Sequence, residues 1–82
     1  MSISLKIYTI EKKLYEGEAD SVTLPGVDGE LGVLATHIPL ISSLKHGKIK
    51  IQRDKEKNPQ YIDIRGGFVE IRPGSQVVIL AN

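Results

Sequence analysis

Few residues of this sequence could do chemistry, and the most suggestive lie in the stretch GELGVLATHIPL, residues 29–40. Glu30 stands between two glycines, His37 follows seven residues later, and the second histidine, His46, comes nine residues after that. A carboxylate and an imidazole could act as general acid and base, but catalysis needs an enclosed pocket that tunes their pKa values. A chain of 82 residues with one phenylalanine and no tryptophan has little volume for such a pocket. The composition therefore disfavours an enzyme.

Other common chemistries lack the spacing that they need. Two isolated histidines without a His-x-x-x-His or Asp-x-His pattern are weak metal ligands, and no serine lies in a Gly-x-Ser-x-Gly elbow. Gly26, Gly29 and Gly32 recur every third residue, which is neither the dinucleotide-binding Gly-x-Gly-x-x-Gly nor a Walker loop. The sequence has no cysteine for thiolate chemistry or disulfides. We therefore expect no catalytic residue, no metal and no cofactor.

The apolar residues of the same stretch favour protein docking instead. Some of its leucine, valine and isoleucine side chains must fill the core, and the rest could form an exposed patch rimmed by Glu30 and His37. Pro39 has no N–H for a β-ladder, so the segment is expected to be a loop or a sheet edge. An interaction module is the favoured interpretation. A stand-alone ligand-binding or adaptor sandwich and an oligonucleotide-binding barrel remain open as alternatives.

Charge is nearly balanced overall but unevenly distributed. The net charge of +1 does not favour nucleic acid as a partner. Residues 11–30 carry six acidic and two basic side chains, and residues 45–57 carry six basic and two acidic ones. This asymmetry could orient a docking encounter, but the favoured interpretation is a pair of ordinary solvated faces. No aromatic residue lies in the basic segment to stack on bases, which disfavours an oligonucleotide-binding barrel.

Alternating polar and apolar residues dominate the chain, and no segment has a sustained 3.6-residue apolar period. The alternating runs cover residues 3–7, 19–24, 48–52, 61–65 and 68–72, and Gln76–Leu80 is almost wholly apolar. The pattern predicts an all-β fold, a two-sheet β-sandwich of about ten short strands that forms a single domain over residues 1–82. The final run is predicted to be a buried central strand.

Turn signals separate these runs. Turns are predicted at Pro25-Gly26, at Asp28-Gly29 and at Pro73-Gly74-Ser75, and the charged stretch from Arg53 to Gln60 is predicted to be a hairpin loop. The pair Gly66-Gly67 lies within strand material, which indicates a bulge or a corner where the chain changes sheets.

No membrane-spanning segment is predicted. The longest apolar run, Val77–Ala81, is far shorter than the ~20 residues that a helix needs to cross a bilayer. The alternating N-terminus does not have the form of a signal peptide. We expect a soluble, cytoplasmic protein that reaches a membrane only through a partner.

Four motifs, taken together, carry a family resemblance. GELGVLATHIPL, LKHGKIKI, IRGGFVEI and VVILA occur in this order and at characteristic spacings, and Gly17 follows the first strand. In these features the chain, from Leu5 to Ala81, resembles the N-terminal β-sandwich domain of the epsilon subunit of F-type ATP synthase. The resemblance implies a non-catalytic part of the central stalk, or rotor. Such a part docks on the gamma subunit and on the loops of the c-subunit ring, and it couples proton- or sodium-driven rotation to ATP synthesis. The expected location is peripheral, on the cytoplasmic face of a bacterial inner membrane.

The resemblance also assigns contact residues. Those expected to face the c-ring loops are Glu30, Leu31 and His37, with Glu30 as a docking acid at a tight turn. A solvated turn residue is the open alternative for Glu30. Those expected to contact the gamma subunit are Thr9, Ile10, Glu11, Ile41 and Ser42. For Ile10 and Ile41, packing in the core is an equally open alternative.

The sequence departs from the family pattern in two ways. Many relatives have Pro-Gly where this chain has Ala35-Thr36, so the loop before His37 is expected to turn less sharply. The familiar epsilon subunit also continues into a C-terminal pair of helices, which nothing in residues 1–82 matches. We therefore expect either a cut chain or a short form without that helical domain, and autoinhibition and ATP sensing are not carried over. Apolar surface that those helices can cover in relatives is expected to bind a partner or to self-associate.

Overall fold

Nine β-strands and their connections make up residues 2–54 and 57–82, the part of the chain that the computed structural model describes. The strands are β1 (Ile3–Tyr8), β2 (Lys13–Ala19), β3 (Ser21–Gly26), β4 (Gly29–Leu34), β5 (Leu40–Leu44), β6 (Gly47–Gln52), β7 (Gln60–Ile64), β8 (Gly67–Arg72) and β9 (Gln76–Ala81). The described residues contain no helix that could cross a membrane.

The strands pair in the order β2-β1-β9-β8-β5-β3-β6-β7, and β4 pairs with the other edge of β3. The β1–β9 pair is parallel, and the remaining pairs are antiparallel. A single residue pair, Gly26 with Leu44, joins β3 to β5. This junction divides one curled sheet into a five-stranded layer (β2-β1-β9-β8-β5) and a four-stranded layer (β4-β3-β6-β7). The all-β sandwich prediction is confirmed, with nine described strands in place of about ten and with the two layers still hydrogen-bonded to each other.

The core lies between the two layers and is built from alternate residues of the strands. On β1, for example, Ile3, Leu5 and Ile7 are fully buried. Burying each such side chain stabilises the fold by roughly 1.5–3 kcal/mol. No polar or charged residue in the described ranges is buried. The remaining core residues are Ala19, Val22, Leu24, Val33, Leu44, Ile49, Ile51, Ile64, Val69, Ile71, Val77, Ile79 and Ala81.

Strand β9 is central, as predicted, but it is not buried on both faces. It pairs with β1 on one side and with β8 on the other. Val77 and Ile79 point into the core, whereas Val78 is half-buried and Leu80 is 51% exposed. The apolar run predicted a strand covered on both faces. In the described residues, however, nothing packs over the outer face of the five-stranded layer.

The turn predicted at Pro25-Gly26 is wrong, because both residues lie in β3 and the chain turns just after them. The other predicted turns and the corner are present. Val27 and Asp28 form the two-residue link between β3 and β4, and residues 73–75 link β8 to β9. Residues 53–59 connect β6 to β7, although Lys55 and Glu56 of the predicted hairpin loop lie outside the described residues. Gly66 and Gly67 stand where the chain passes from the four-stranded to the five-stranded layer. Gly67 has φ +141°, and a Cβ there would lie 2.2 Å from the Leu80 carbonyl oxygen. The close approach explains why glycine occupies this corner.

Candidate functional site

The outer face of the five-stranded layer carries an uncovered apolar surface. Strand register places Tyr8, Leu80 and Phe68 in one row, and Val78 and Ile41 in the next. These five residues are called the outer patch. Within it Ile41 is 73% exposed, Phe68 58% and Leu80 51%. Since exposed large apolar side chains are informative when they form a contiguous patch, this surface is a candidate partner site.

The outer patch is shaped as a shallow depression of about 360 Å³, which Val69 and Glu70 also line. Glu70 is its charged group, and that carboxylate is engaged by Arg72, whose Nη2 donates to Oε1 at 2.9 Å. The same contact raises the pKa of Arg72. The depression therefore offers apolar contact area with one neutralised acid, an arrangement that suits an apolar partner surface.

The turn between β1 and β2 lies at one margin of the outer patch. Thr9 organises it, because its backbone N–H donates to the Lys12 carbonyl at 2.8 Å and its Oγ1 accepts from the Lys12 N–H at 3.1 Å. This local hydrogen bonding presents Ile10 at the tip, where it is 95% exposed, with Glu11 exposed beside it. Ile41, on β5, lies at the other margin of the outer patch. The alternative that Ile10 and Ile41 pack in the core is therefore wrong.

Ser42 is the predicted gamma-contact residue that lies apart from this surface. It follows Ile41 on β5, so its side chain points to the opposite face of the strand, and it is half-buried opposite Val69. The sequence interpretation missed Tyr8, Phe68, Val78 and Leu80. A usable signal existed, because a β-strand with apolar residues at both parities, such as β9, must present apolar side chains on both faces.

The GELG segment, residues 29–32, forms the first four of the six residues of an edge strand and is not a loop. Gly29 pairs with Gly26, Glu30 with Pro25 and Leu31 with Leu24, so β4 begins directly after a two-residue turn. Glu30 is exposed and Leu31 is half-buried against the core. Gly29 has φ +125°, which suits the end of a tight hairpin link. The expected docking acid therefore projects from a strand held by its neighbour β3.

His37 lies beyond the opposite end of β4 from Glu30. Its backbone N–H donates to the Leu34 carbonyl at 3.0 Å, and its Nδ1 lies 2.7 Å from the carbonyl oxygen of Ile38. The strand between Glu30 and Leu34 alone spans about 13 Å at ~3.3 Å per residue. The structure thus separates the expected c-ring residues into Glu30 with Leu31 at one end and His37, beside the exposed Ile38, at the other.

Glu30 instead shares a depression of about 340 Å³ with basic groups. Lys45, His46 and Lys48 line it together with Pro25. Lys48 of β6 also contacts Asp63 of the neighbouring strand β7, with Nζ 3.0 Å from Oδ1. Lys45, Lys48 and Lys50 are therefore exposed on or next to β6, with the acids Glu30 and Asp63 near Lys48. No group of three potential metal ligands occurs within residues 2–54 and 57–82.

Acidic side chains of the other charged segment lie on the outer face of β2. Glu16 contacts Lys13 in an ion pair on the same strand and lies 3.9 Å from Lys6 on β1. The hydrogen bond and charge of Lys13 lower the pKa of Glu16, and Glu16 in turn raises the pKa of Lys13. The acidic residues of β2 thus lie on the five-stranded layer, whereas Asp28 and Glu30 of the same segment lie on the four-stranded layer with the basic residues of β6.

Comparisons with known proteins identify the family. The model for the β-sandwich domain of the ATP synthase delta/epsilon chain matches residues 2–82. The ATP synthase epsilon chain of Alkalihalophilus pseudofirmus is 40% identical over 81 residues, and that of Nostoc sp. is 35% identical over 82 residues. Those alignments cover 99% and 100% of this chain but only 59% of either relative.

The fold is also found in a solved assembly. A chain of the Euglena gracilis mitochondrial ATP synthase, determined as an OSCP/F1/c-ring complex, matches with a TM-score of 0.88 at 22% identity, over 98% of this chain and 50% of that one. At this identity the likeness supports the fold. The family assignment depends on the match to the domain model, which spans nearly every residue. On that match, the chain belongs to the family of the ATP synthase delta/epsilon chain β-sandwich domain.

Proposed function

We propose that this chain is a non-catalytic rotor component of an F-type ATP synthase. It docks on the gamma subunit and on the c-ring loops, and it helps to couple ion-driven rotation to ATP synthesis. The observation that carries the proposal is an apolar outer patch on a domain of this family. Relatives that share 35–40% of its residues are named ATP synthase epsilon chains. The expected location is the cytoplasmic face of a bacterial inner membrane, reached through the complex.

The gamma subunit is proposed to cover the outer patch and its margins. With Ile10, Ile41, Phe68 and Leu80 between half and almost fully exposed, this surface offers roughly 500 Å² of side-chain area, in the ~300–600 Å² range of the largest, often functional, patches on monomers. Aromatic residues near the centre of an interface often contribute most of its binding energy. Phe68, which pairs with Leu80 and Ser43 across three strands, has that central position.

The c-ring loops are proposed to meet the hairpin end of β4. Glu30 is exposed there, and Lys45 and Lys48 lie around the same depression. A mixed-charge rim of this kind guides encounter and register more than it adds affinity. His37 is proposed as a separate contact, since it lies past the far end of the strand.

A non-catalytic role agrees with the chemistry of the exposed depressions. A catalytic site requires a positioned acid, base or nucleophile within an enclosed pocket. The depression at the outer patch is apolar and already neutralises Glu70 with Arg72. The depression at Glu30 is an open surface between charged side chains.

Calorimetric titration of the chain into purified gamma subunit tests the proposal. Burial of apolar surface should give one-to-one binding with a negative heat-capacity change. Phe68→Ser should weaken binding at least about tenfold, since a central aromatic anchor is lost. The matched control is Tyr61→Ser, because Tyr61 is 54% exposed on β7 of the other layer.

Two results would contradict this assignment. Absence of binding at tens of micromolar would favour a stand-alone adaptor that shares only the architecture. Equal losses of gamma affinity for Phe68→Ser and Tyr61→Ser would mean that the gamma subunit does not bind at the outer patch in particular.

A further inference from the structure

The outer edge of β4 exposes backbone groups that are mostly without a partner among residues 2–54 and 57–82. Pro25 has no N–H, so its pair with Glu30 cannot be one that exchanges two hydrogen bonds across β3 and β4. The bonded pairs of this hairpin are therefore those of Gly29, Leu31 and Val33, in alternation. The backbone groups of Glu30, Gly32 and Leu34 consequently point away from β3.

On that free edge, little within the described residues satisfies these groups. The Leu34 carbonyl accepts from the His37 N–H at 3.0 Å, and β4 pairs with no strand other than β3. The N–H groups of Glu30, Gly32 and Leu34, with the carbonyls of Glu30 and Gly32, thus form a ready row of donors and acceptors. Such a row is a template for another strand.

The other two terminal edges carry protective features that β4 lacks. Strand β2 presents Lys13, Glu16 and Glu18, and its register with β1 shifts between Ile7 and Tyr8. Charged side chains and bulges of this kind discourage strand addition. Strand β7 has Pro59 immediately before it, Arg65 immediately after it, and Asp63 within it.

In contrast, β4 is regular, and its centre is bare. Its six residues pair with β3 without a register shift. A Cβ on Gly32 would meet nothing within 4 Å, so the outer face of the strand is uncovered at its middle. Leu34, which is 62% exposed, adds an apolar side chain near the end. The edge is therefore regular in its pairing, and Glu30 is the one charged residue of β4.

We propose that a second copy of this chain adds to this edge, with the two β4 strands antiparallel about a two-fold axis at Gly32. The strand suits its own copy in this register. Gly32 faces Gly32 of the second copy and exchanges two hydrogen bonds with it, while Glu30 lies opposite Leu34 of the second copy. An isologous contact of this kind is closed, so it yields a dimer and not a fibre.

The charges also fit this register. The two Glu30 carboxylates lie at opposite ends of the paired strands, about 13 Å apart along the ladder at ~3.3 Å per residue. The like charges are therefore not opposed, and each lies across from an apolar leucine. Because the Leu34 carbonyl already accepts from His37, the interaction depends on four backbone hydrogen bonds, two between the Gly32 residues and two from the Leu34 N–H groups to the Glu30 carbonyls. With so few bonds and little side-chain area, a weak, concentration-dependent dimer is expected.

Sedimentation equilibrium of the 82-residue chain from about 10 μM to about 1 mM, the range of weak association, tests this proposal together with amide hydrogen exchange. Gly32→Pro removes the central N–H without removing any bond to β3, and Pro is tolerated on a sheet edge. It should weaken the dimer roughly tenfold or more, because two bonds are lost per dimer. The matched control, Gly32→Ala, keeps the N–H and has room for its methyl group.

Hydrogen exchange in the unmodified chain gives a reading that does not depend on a variant folding. The amides of Gly32 and Leu34 should gain protection as concentration rises, while other exposed amides do not. A chain that remains monomeric at about 1 mM, or a dimer abolished by Phe68→Ser but kept by Gly32→Pro, would overturn the proposal. The second result would place self-association on the outer patch.

Discussion

Gly67 is the residue at which one added methyl group conflicts most directly with the fold. Its Cβ would lie 2.2 Å from the Leu80 carbonyl oxygen, and its φ of +141° is unfavourable for any other residue. Gly67→Ala should lower the free energy of unfolding by roughly 3 kcal/mol. Urea denaturation measures this change. Gly32→Ala, at an open position without positive φ, should leave stability unchanged or raise it by up to about 1 kcal/mol. Equal effects of the two variants on stability would mean that the corner does not require glycine at position 67.

The ion pair of Glu16 with Lys13 predicts a pH dependence of defined sign. Lys13 lowers the pKa of the Glu16 carboxyl below its usual 4.5, first through a hydrogen bond and then through its charge. A depressed carboxyl pKa stabilises the folded state above pH 4.5, and that contribution is lost as the pH falls through the folded pKa. NMR titration of the Glu16 carboxyl should therefore give a pKa below 4.5. In Lys13→Met the value should rise toward 4.5, and no movement would mean that the pair does not persist in solution.

At the scale of strands and turns, alternation along the chain was a reliable guide. It located the strands around Ile3–Ile7, Lys48–Gln52 and Phe68–Arg72, because a half-covered sheet imposes a two-residue period. The corner at Gly66-Gly67 was also predictable, since paired glycines within strand material indicate a bend. What alternation could not reveal was which face of β9 would be covered, because that depends on how two distant layers meet.

The GELG segment illustrates why turn-forming residues mislead. Its glycines suggested a loop, yet Val27 and Asp28 alone make the turn, and β4 starts at Gly29. A two-residue hairpin link lets the chain pair again at once, so glycines can serve in the strand as well as in the turn. The candidate contact residues Glu30 and His37 were consequently expected together, although the strand between them holds them apart.

Placement of Glu30 on β4 leads to a prediction for assembly. The side chain is exposed and its backbone register with Pro25 is set by β3, so Glu30→Ala should leave the fold intact. As a rim charge, its loss should weaken docking on the c-ring by about 1 kcal/mol, roughly fivefold. Pull-down of the stalk by purified c-ring at two salt concentrations measures this. The control is Asp28→Ala, which removes an exposed acid from the same hairpin. An equal loss of c-ring docking in that variant would mean that docking depends on the total charge of the hairpin and not on Glu30 in particular.

Across the whole molecule, the two proposed docking surfaces belong to different layers with the core between them. The outer patch lies on the face of the five-stranded layer that points away from the core, whereas Glu30 lies on the edge strand of the four-stranded layer. Face-to-face packing separates such layers by about 10 Å. One rigid sandwich could therefore join two partners at once, which is what a rotor component at a junction requires.

This arrangement predicts that the two contacts act independently. Phe68→Ser should weaken gamma binding, Glu30→Ala should weaken c-ring docking, and neither should alter the other's partner. In the double variant the losses should add within about 0.5 kcal/mol, since the sites share no contacting residue and lie on separate layers. Titrations of the four proteins, unmodified, two single variants and the double variant, against each partner measure the coupling. A coupling well above that limit would mean that the sandwich transmits a change between its layers, and that the domain is more than a rigid bridge.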